Sequence, residues 1–223
     1  MTIRNIIFDL GGVLLNIDYQ ATINEFKKLG INNFDDLFTQ AAQIQLFDQF
    51  DKGEISPGSF RDELRRISGV PLQDEEIDKA WNAMLFDLPA KRIALLELVR
   101  KNYRTFLLSN TNAIHYPAYT EYLETRYGFS DLSALFEKQY LSFRIGMRKP
   151  DKEVYGLVLD ENGLKPSETL LIDDSLQHVD GAREAGLHAV CLDVEKTEVS
   201  DLFNKNAFLS HPVPGSDLPG CRP

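Results

Sequence analysis

The sequence predicts an α/β fold in which a parallel β-sheet carries helices on both faces. Two observations support this prediction. Short apolar runs alternate with amphipathic helical segments over most of the chain, which is typical of parallel strands joined by crossover helices. Residues 17–88 differ, because they show helical periodicity and no strand pattern. We therefore expect a core from residues 1–16 and 89–210, an inserted helical-bundle cap at 17–88, and a flexible tail at 211–223, which is rich in Pro and Gly.

The predicted strands are four short runs that are brief, rich in β-branched or aromatic residues, and ended by a polar residue or a glycine. They are residues 4–9, 104–109, 169–173 and 188–192. Runs of this kind are expected to be buried on both faces of a sheet.

Helical patterns separate these strands. Apolar residues three and four positions apart form stripes, and two of the stripes are followed by Gly163 and Gly186, which are typical helix ends. In the inserted segment, Ser56 followed by Pro57 is a favourable start for a helix. We expect most aromatic residues of this segment to form its core, with one or two at the mouth of a pocket: Tyr19, Phe47, Phe50, Trp81 and Phe86.

Composition and charge limit the possible partners. The 223 residues include 24 Lys and Arg and 34 Asp and Glu, for a net charge of −10, which disfavours binding to nucleic acids or anionic membranes. No apolar run approaches the length of a membrane span, and the apolar stretch before Asp9 is too short for a secretory signal. We expect a cytoplasmic protein with a small-molecule partner; the sequence does not predict its oligomeric state.

Polar side chains follow three of the predicted strands at the point where each strand ends. Asp9 ends the first, Ser109 and Asn110 end the second, and Asp173 and Asp174 end the third. Parallel strands place these ends along one edge of the sheet, where open α/β folds bind their ligands. A bland alternative exists for each residue, since such residues also cap helices and favour turns.

A basic side chain is expected at the same edge. Pro150 disfavours a helical conformation at Lys149, so the lysine should lie in an extended loop with its amine at the site. Three carboxylates close together require a cation among them, and Mg²⁺ suits carboxylates without His or Cys support. Lys149, the Ser109 hydroxyl and the backbone N–H of Asn110 would hold a second anion. This set indicates phosphoryl transfer to Asp9.

Four stretches carry a resemblance to a known family: FDLGG at 8–12, LLSNTN at 107–112, GMRKP at 146–150 and IDDSLQHVDGAREAG at 172–186. In this order they resemble the motifs of the haloacid dehalogenase (HAD) superfamily. The resemblance implies a Rossmann-like three-layer core with a small helical cap between the first two motifs. Within the superfamily, the chain is similar to the alpha-D-glucose-1-phosphate phosphatase subgroup, whose relatives include the N-terminal phosphatase domain of soluble epoxide hydrolase.

The resemblance implies roles for the phosphate-handling residues. Asp9 would be the nucleophile that becomes an aspartyl-phosphate. Ser109 and the N–H of Asn110 would bind phosphate, and Lys149 would neutralise the nucleophile and the phosphoryl oxygens.

The resemblance also implies a Mg²⁺ site, in which Asp174, Asp9 and the backbone carbonyl of Gly11 are ligands. Asp173 would lie just behind these ligands. We further expect Gly11 and Gly12 to let the backbone turn sharply, so that the carbonyl of Gly11 faces the metal.

Two positions depart from the superfamily pattern. Gly11 stands where most of its phosphatases have a second Asp, the usual general acid and base. His178 stands where Asp or Asn is common, and it is either a replacement base or a structural histidine. Loss of a positioned acid costs roughly a hundredfold to ten-thousandfold in rate, which weakens phosphoryl transfer without forbidding it.

The sequence therefore predicts a Mg²⁺-dependent phosphatase that acts on a small phosphorylated metabolite, such as the sugar phosphate glucose 1-phosphate. One alternative is a 2-haloacid dehalogenase, which also uses an aspartate nucleophile. The other is a catalytically weakened phosphate-binding module, which the glycine at position 11 suggests.

Overall fold

The computed structural model describes residues 2–34, 36 and 45–210. The predicted tail at 211–223 lies outside them. Five parallel strands form one sheet in the order β3-β2-β1-β4-β5. The strands are β1 (Asn5–Phe8), β2 (Arg104–Ser109), β3 (Lys138–Leu141), β4 (Thr169–Asp173) and β5 (His188–Cys191). The predicted α/β class and the four predicted strands are confirmed, within one residue at each end.

Strand β3 was not predicted. It has four residues at the edge of the sheet, of which Lys138 is exposed and Gln139 is half-buried. Only Tyr140 and Leu141 are buried. An edge strand with two buried residues gives no apolar run, so the rule that identified the other strands does not detect it.

The register of the sheet sets the ends of the strands level with one another. Phe8 in β1 pairs with Leu107 in β2 and with Ile172 in β4. Asp9 and Asp173, which follow Phe8 and Ile172, therefore lie side by side at the carboxyl ends of their strands. Strand β1 has β2 on one side and β4 on the other, and a crevice opens at such a reversal of strand order.

Helices cover both faces of the sheet. In β1, Ile6 and Phe8 belong to one apolar cluster and Ile7 belongs to another. The first cluster includes residues of α5 (Ala90–Val99) and α6 (His115–Tyr127), and the second includes residues of α8 (Lys152–Asn162) and α9 (Leu176–Glu184). Between β3 and α8 lies the short α7 (Ser142–Ile145). The expected three layers are confirmed.

Four described helices occupy the inserted segment: α1 (Tyr19–Lys28), α2 (Leu46–Asp51), α3 (Pro57–Ser68) and α4 (Asp74–Asn82). They share a third apolar cluster, which contains Phe26, Phe50, Phe60 and Trp81. Ser56 caps α3 as expected, because its side chain accepts a hydrogen bond from the backbone N–H of Ser59 at 3.1 Å. The division of the chain into core, cap and tail remains a prediction.

The expectation for the aromatic residues of the inserted segment is confirmed in part. Phe50 and Trp81 are buried, whereas Tyr19 and Phe86 are each 50% exposed. Tyr19, Phe47 and Trp81 line the cavity that is described below.

The entering and leaving chains of the inserted segment run side by side. The N–H of Asn16 donates to the carbonyl of Asp87 at 2.8 Å, and the N–H of Phe86 donates to the carbonyl of Asn16 at 2.9 Å. Ile17 and Leu85 form an antiparallel bridge next to them. The inserted segment is therefore joined to the rest of the chain by two paired backbone segments. Within the described residues, no helix combines the length and the apolar character that crossing a membrane requires.

Candidate active site

Three carboxylates meet at the carboxyl ends of β1 and β4. Asp9, Asp173 and Asp174 are all buried, and each offers an oxygen within 4.8 Å of the oxygens of the other two. Ser109, at the end of β2, is 2% exposed and lines the same cavity as Asp9 and Asp174. The structure thus brings together the polar strand ends that the sequence singled out.

Lys149 lies between two of these carboxylates. Its side chain is fully buried, and its Nζ lies 2.7 Å from Oδ1 of Asp9 and 2.6 Å from Oδ2 of Asp173. Asn110 holds the backbone of the lysine in place. The N–H of Lys149 donates to Oδ1 of Asn110, and Nδ2 of Asn110 donates to the carbonyl of Lys149, each at 2.9 Å. This role of the Asn110 side chain was not predicted.

Burial and charge shift the pKa of each group in the cluster. Burial raises the pKa of Asp9 to about 7, the charge of Lys149 offsets part of this rise, and the charges of Asp173 and Asp174 add to it. The pKa of Lys149 is also raised, because its two carboxylate partners outweigh the effect of burial. Near neutral pH the protonation of Asp9 is therefore sensitive to any further positive charge beside it.

Both carboxylate oxygens of Asp173 have partners in the protein. Its Oδ1 accepts a hydrogen bond from the N–H of Ser175 at 2.9 Å and lies 3.0 Å from Nδ1 of His178. Although burial acts in the opposite direction, Lys149 and His178 lower the pKa of Asp173. The structure thus places His178 against Asp173, and its proposed use as a base remains a prediction.

The turn after β1 depends on Gly12. This residue has a φ of +82°, and a Cβ on it would lie 2.2 Å from Oδ2 of Asp174. At Gly11 the nearest atom to such a Cβ is a methyl group of Ile17 at 3.3 Å, and no left-handed φ occurs. The close approach of a carboxylate to the backbone therefore requires a glycine at position 12, while the sharp turn does not require one at position 11.

A cavity of about 630 Å³ extends from the carboxylates to the helices of the inserted segment. Near the sheet it is lined by Asp9, Ser109 and Asp174, whereas its other end is lined mainly by apolar and aromatic side chains. These include Ile23, Phe34, Phe47, Trp81 and Met84. The volume lies within the range usual for small-molecule sites.

Arg148, next to Lys149 in the chain, is not a solvated surface charge. Its side chain is 21% exposed and forms an ion pair with Asp48 of α2, and its Nη2 lies 3.9 Å from Oδ2 of Asp51. Burial raises the pKa of Asp51, and Arg148 opposes the rise. Arg148 lines the cavity. Its ion pairs join the loop that carries Lys149 to α2 of the inserted segment. The partner residues are about a hundred positions away, so no local pattern indicates the pair.

His115 is a second residue that the sequence did not emphasise. It begins α6, lies at the cavity wall and is 8% exposed. Its Nδ1 lies 2.8 Å from Oδ1 of Asn82, and its ring is stacked on that of Trp81 with the centroids 5.3 Å apart. Burial lowers the pKa of His115 to about 3, so the ring is neutral near neutral pH.

Comparison with known proteins gives one family. A family model for haloacid dehalogenase-like hydrolases matches residues 3–186. A D-ribitol-5-phosphate phosphatase of Bacteroides thetaiotaomicron is 30% identical over 186 residues, which cover 82% of this chain and 89% of that protein. A sesquiterpene phosphatase of Aspergillus oryzae is 27% identical over 191 residues, covering 83% of this chain and 88% of that protein.

Solved structures give the same result. A HAD family enzyme from Bacteroides thetaiotaomicron, crystallised with magnesium and inorganic phosphate, superposes with a TM-score of 0.80. It is 37% identical in sequence, and the match covers 91% of this chain and 100% of that one.

Proposed function

The chain belongs to the haloacid dehalogenase-like hydrolases, and we propose that it removes phosphate from a phosphorylated sugar or sugar alcohol by way of Asp9. It is a phosphoric monoester hydrolase that uses Mg²⁺. One observation carries the proposal further: a buried lysine lies within hydrogen-bond distance of Asp9, beside two more carboxylates. The names of the phosphatases it resembles support a small phosphorylated substrate.

The residues present fit a magnesium ion. Three buried carboxylates within 4.8 Å of one another supply hard oxygen ligands, and Gly12 leaves room for Asp174 beside the backbone. We propose that Asp9, Asp174 and the backbone carbonyl of Gly11 hold the ion, with Asp173 positioning Lys149 behind them. When bound, Mg²⁺ supplies positive charge that stabilises the phosphoryl group.

Asp9 provides the nucleophile in this proposal. A carboxylate oxygen attacks phosphorus, the ester P–O bond breaks, and the alcohol leaves with a proton taken from solvent. Water then attacks the aspartyl-phosphate, releasing inorganic phosphate and restoring the carboxylate. Burial raises the pKa of Asp9 to about 7 and so disfavours the ionised form that attacks phosphorus. The positive charge of Lys149, 2.7 Å away, opposes this effect and favours the ionised form.

In this proposal, phosphate is bound at the carboxyl end of β2. The hydroxyl of Ser109 and the backbone N–H of Asn110 would donate to the phosphoryl oxygens, while Lys149 neutralises them. The Asn110 side chain keeps the Lys149 backbone fixed through two hydrogen bonds. Positioning and charge therefore come from parts that the protein holds rigidly.

Gly11 limits the leaving group. Without an acid at this position, the departing oxygen receives its proton more slowly, at a cost of roughly a hundredfold to ten-thousandfold. An anomeric oxygen tolerates negative charge better than an ordinary alcohol does and depends less on that acid. Glucose 1-phosphate and D-ribitol 5-phosphate represent these two leaving groups and belong in the same substrate panel.

The test is steady-state phosphate release from this panel with Mg²⁺ present. We expect Asp9→Asn to lower kcat by roughly 10⁴-fold or more, as loss of a nucleophile typically does. Asp180→Asn is a matched control, because Asp180 is 56% exposed on α9 and its ion pair within the described residues is with Arg183 of the same helix. Unchanged turnover in Asp9→Asn would overturn the proposal.

The two alternatives have their own signatures. Halide release from a 2-haloacid without metal would identify a dehalogenase. Binding of a beryllium fluoride or vanadate complex without turnover of any substrate would identify a phosphate-binding module. The cluster of carboxylates argues against the former, because it would repel a carboxylate substrate in the absence of a cation.

A further inference from the structure

Three aromatic side chains contribute to the wall of the cavity. His115 and Tyr119 lie one turn apart on α6 and so share a helix face. Trp81, from α4 in the cap, stacks on His115 with the two rings inclined by 4°. All three residues line the cavity that contains Asp9.

His115 offers a hydrogen-bond acceptor at this wall. Its Nδ1 lies 2.8 Å from Oδ1 of Asn82, an acceptor, so Nδ1 carries the proton. The ring is neutral, since burial lowers its pKa to about 3. Nε2 therefore holds a lone pair and can accept a hydrogen bond but not donate one.

Two further polar groups belong to residues of this wall. Nε1 of Trp81 and the hydroxyl of Tyr119 are buried, and neither forms a hydrogen bond with any described residue. The two residues are 5% and 3% exposed. An unpaired buried donor costs about 1–3 kcal/mol, and buried polar groups nearly always find a partner. A bound molecule that brings both donors and acceptors would satisfy them.

We propose that Trp81, His115 and Tyr119 form a hydroxyl-binding subsite that selects phosphorylated sugars or sugar alcohols over phosphate esters with an apolar tail. The subsite rests on the proposed phosphatase function and specifies its substrate class. Each hydroxyl of a polyol chain both donates and accepts, which matches an imidazole acceptor, an indole donor and a phenol. An alkyl tail would leave the indole N–H and the phenol hydroxyl buried and unpaired, and sites of this kind reject such analogues strongly.

The experiment compares kcat/KM for D-ribitol 5-phosphate with kcat/KM for n-pentyl phosphate, which has the same carbon chain and no hydroxyl. We expect the wild-type ratio to exceed roughly 100. Tyr119→Phe removes only a hydroxyl. His115→Asn keeps an N–H near Oδ1 of Asn82 while removing Nε2. Each variant should lower the ratio about tenfold, the effect of one hydrogen bond, mainly through KM of the polyol phosphate.

A matched control lies on the same helix. Tyr127 donates to the carbonyl of Leu88 at 2.6 Å and does not line the cavity. Tyr127→Phe should keep the wild-type ratio, because general damage to the fold lowers both kcat/KM values together. His115→Gln, which places an amide near the position of Nε2, should recover part of the ratio lost in His115→Asn.

The outcomes separate the two proposals. A wild-type ratio near one, or a ratio unchanged in both Tyr119→Phe and His115→Asn, overturns the subsite while phosphatase activity stands. Absence of phosphate release from every panel member overturns the proposed function and the subsite with it.

Discussion

The two ends of the cavity are built on different principles. At the proposed phosphate end, Asp9, Asp174 and Lys149 carry ionisable side chains and lie at strand ends or in a loop fixed by Asn110. At the tail end, Trp81 and His115 come from helices of the inserted segment and of the core, and they meet through stacking. Under the proposed function, the phosphate that all substrates share is bound by ionisable side chains at strand ends. The part that varies between substrates would contact side chains whose positions depend on tertiary packing.

Replacement of Lys149 tests the phosphate end most severely. In Lys149→Met, the carboxylates of Asp9 and Asp173 stay buried without their cation. We expect kcat to fall by about 10³-fold and the free energy of unfolding to fall by about 3–5 kcal/mol. Phosphate release and urea denaturation measure the two effects. Lys152→Met, at a 60% exposed side chain paired with Glu184, should change neither, and equal losses in both variants would contradict the prediction.

Gly12→Ala tests whether the backbone approach to Asp174 shapes the metal site. A methyl group there would lie 2.2 Å from Oδ2 of Asp174, so the carboxylate must move. We expect Mg²⁺ affinity, measured by isothermal titration calorimetry, to drop about 10–100-fold. Gly69→Ala is the control, because Gly69 has a similar φ of +68° with no atom near its would-be Cβ. It should cost only about 1–3 kcal/mol of stability and leave Mg²⁺ binding intact.

The pH dependence of stability tests the electrostatics of the same end. Burial raises the pKa of Asp9 from 3.8 to about 7, so the folded protein binds more protons than the unfolded chain between these values. Its stability must then fall as pH rises through this window. His115, whose pKa burial lowers to about 3, acts in the opposite direction below its ordinary value of 6.5, so the effect of Asp9 is measured as a difference between variants. We expect Tm of the metal-free wild type to drop by on the order of 5 °C relative to Tm of Asp9→Asn from pH 5 to pH 8. The shifted pKa values of Asp173 and Lys149 lie outside the window, below 3.8 and above 10.5.

Two controls accompany this measurement. In Asp9→Asn the part of the slope due to Asp9 should disappear, and what remains includes Asp51, whose pKa is also raised. Addition of Mg²⁺ should raise Tm more at pH 8 than at pH 5, because the cation favours ionised carboxylates. The same slope in wild type and Asp9→Asn would show that another group causes it.

Arg148→Met should have the smallest effect. It tests the ion pairs between the loop that carries Lys149 and helix α2. The change removes the cation beside Asp48 and the half-buried Asp51. We expect a loss of about 1–2 kcal/mol in the free energy of unfolding, measured by urea denaturation. Arg66→Met removes an arginine that is 65% exposed and pairs within α3, and it should cost less than about 0.5 kcal/mol. Equal losses would mean that the link contributes no more than a surface ion pair.

The sequence predicted the phosphate end better than the tail end, for a physical reason. Asp9 and Asp174 follow apolar strands, and parallel strands end at one edge, so a local pattern implies their meeting. The sequence does not indicate the ion pairs of Arg148, because its carboxylate partners lie on a distant helix. His115 received little weight because its neighbours, Trp81 and Asn82, are joined to it only by tertiary packing.

The fold shows the same division. Strands buried on both faces were found from their apolar runs, whereas β3 was missed because its first residues, Lys138 and Gln139, are not buried. The turn after β1 was expected to need both glycines, but only Gly12 has a left-handed φ and a carboxylate against it. Such close approaches depend on residues brought from elsewhere in the chain.

The paired segments around Asn16 and Phe86 bring the two ends of the inserted segment together. Since the chain departs and returns at adjacent points, an insert of different size or shape can be exchanged there while β1 and its carboxylate stay in register. A change of substrate would then require changes in one contiguous block of sequence, while the carboxylates at the strand ends keep their positions.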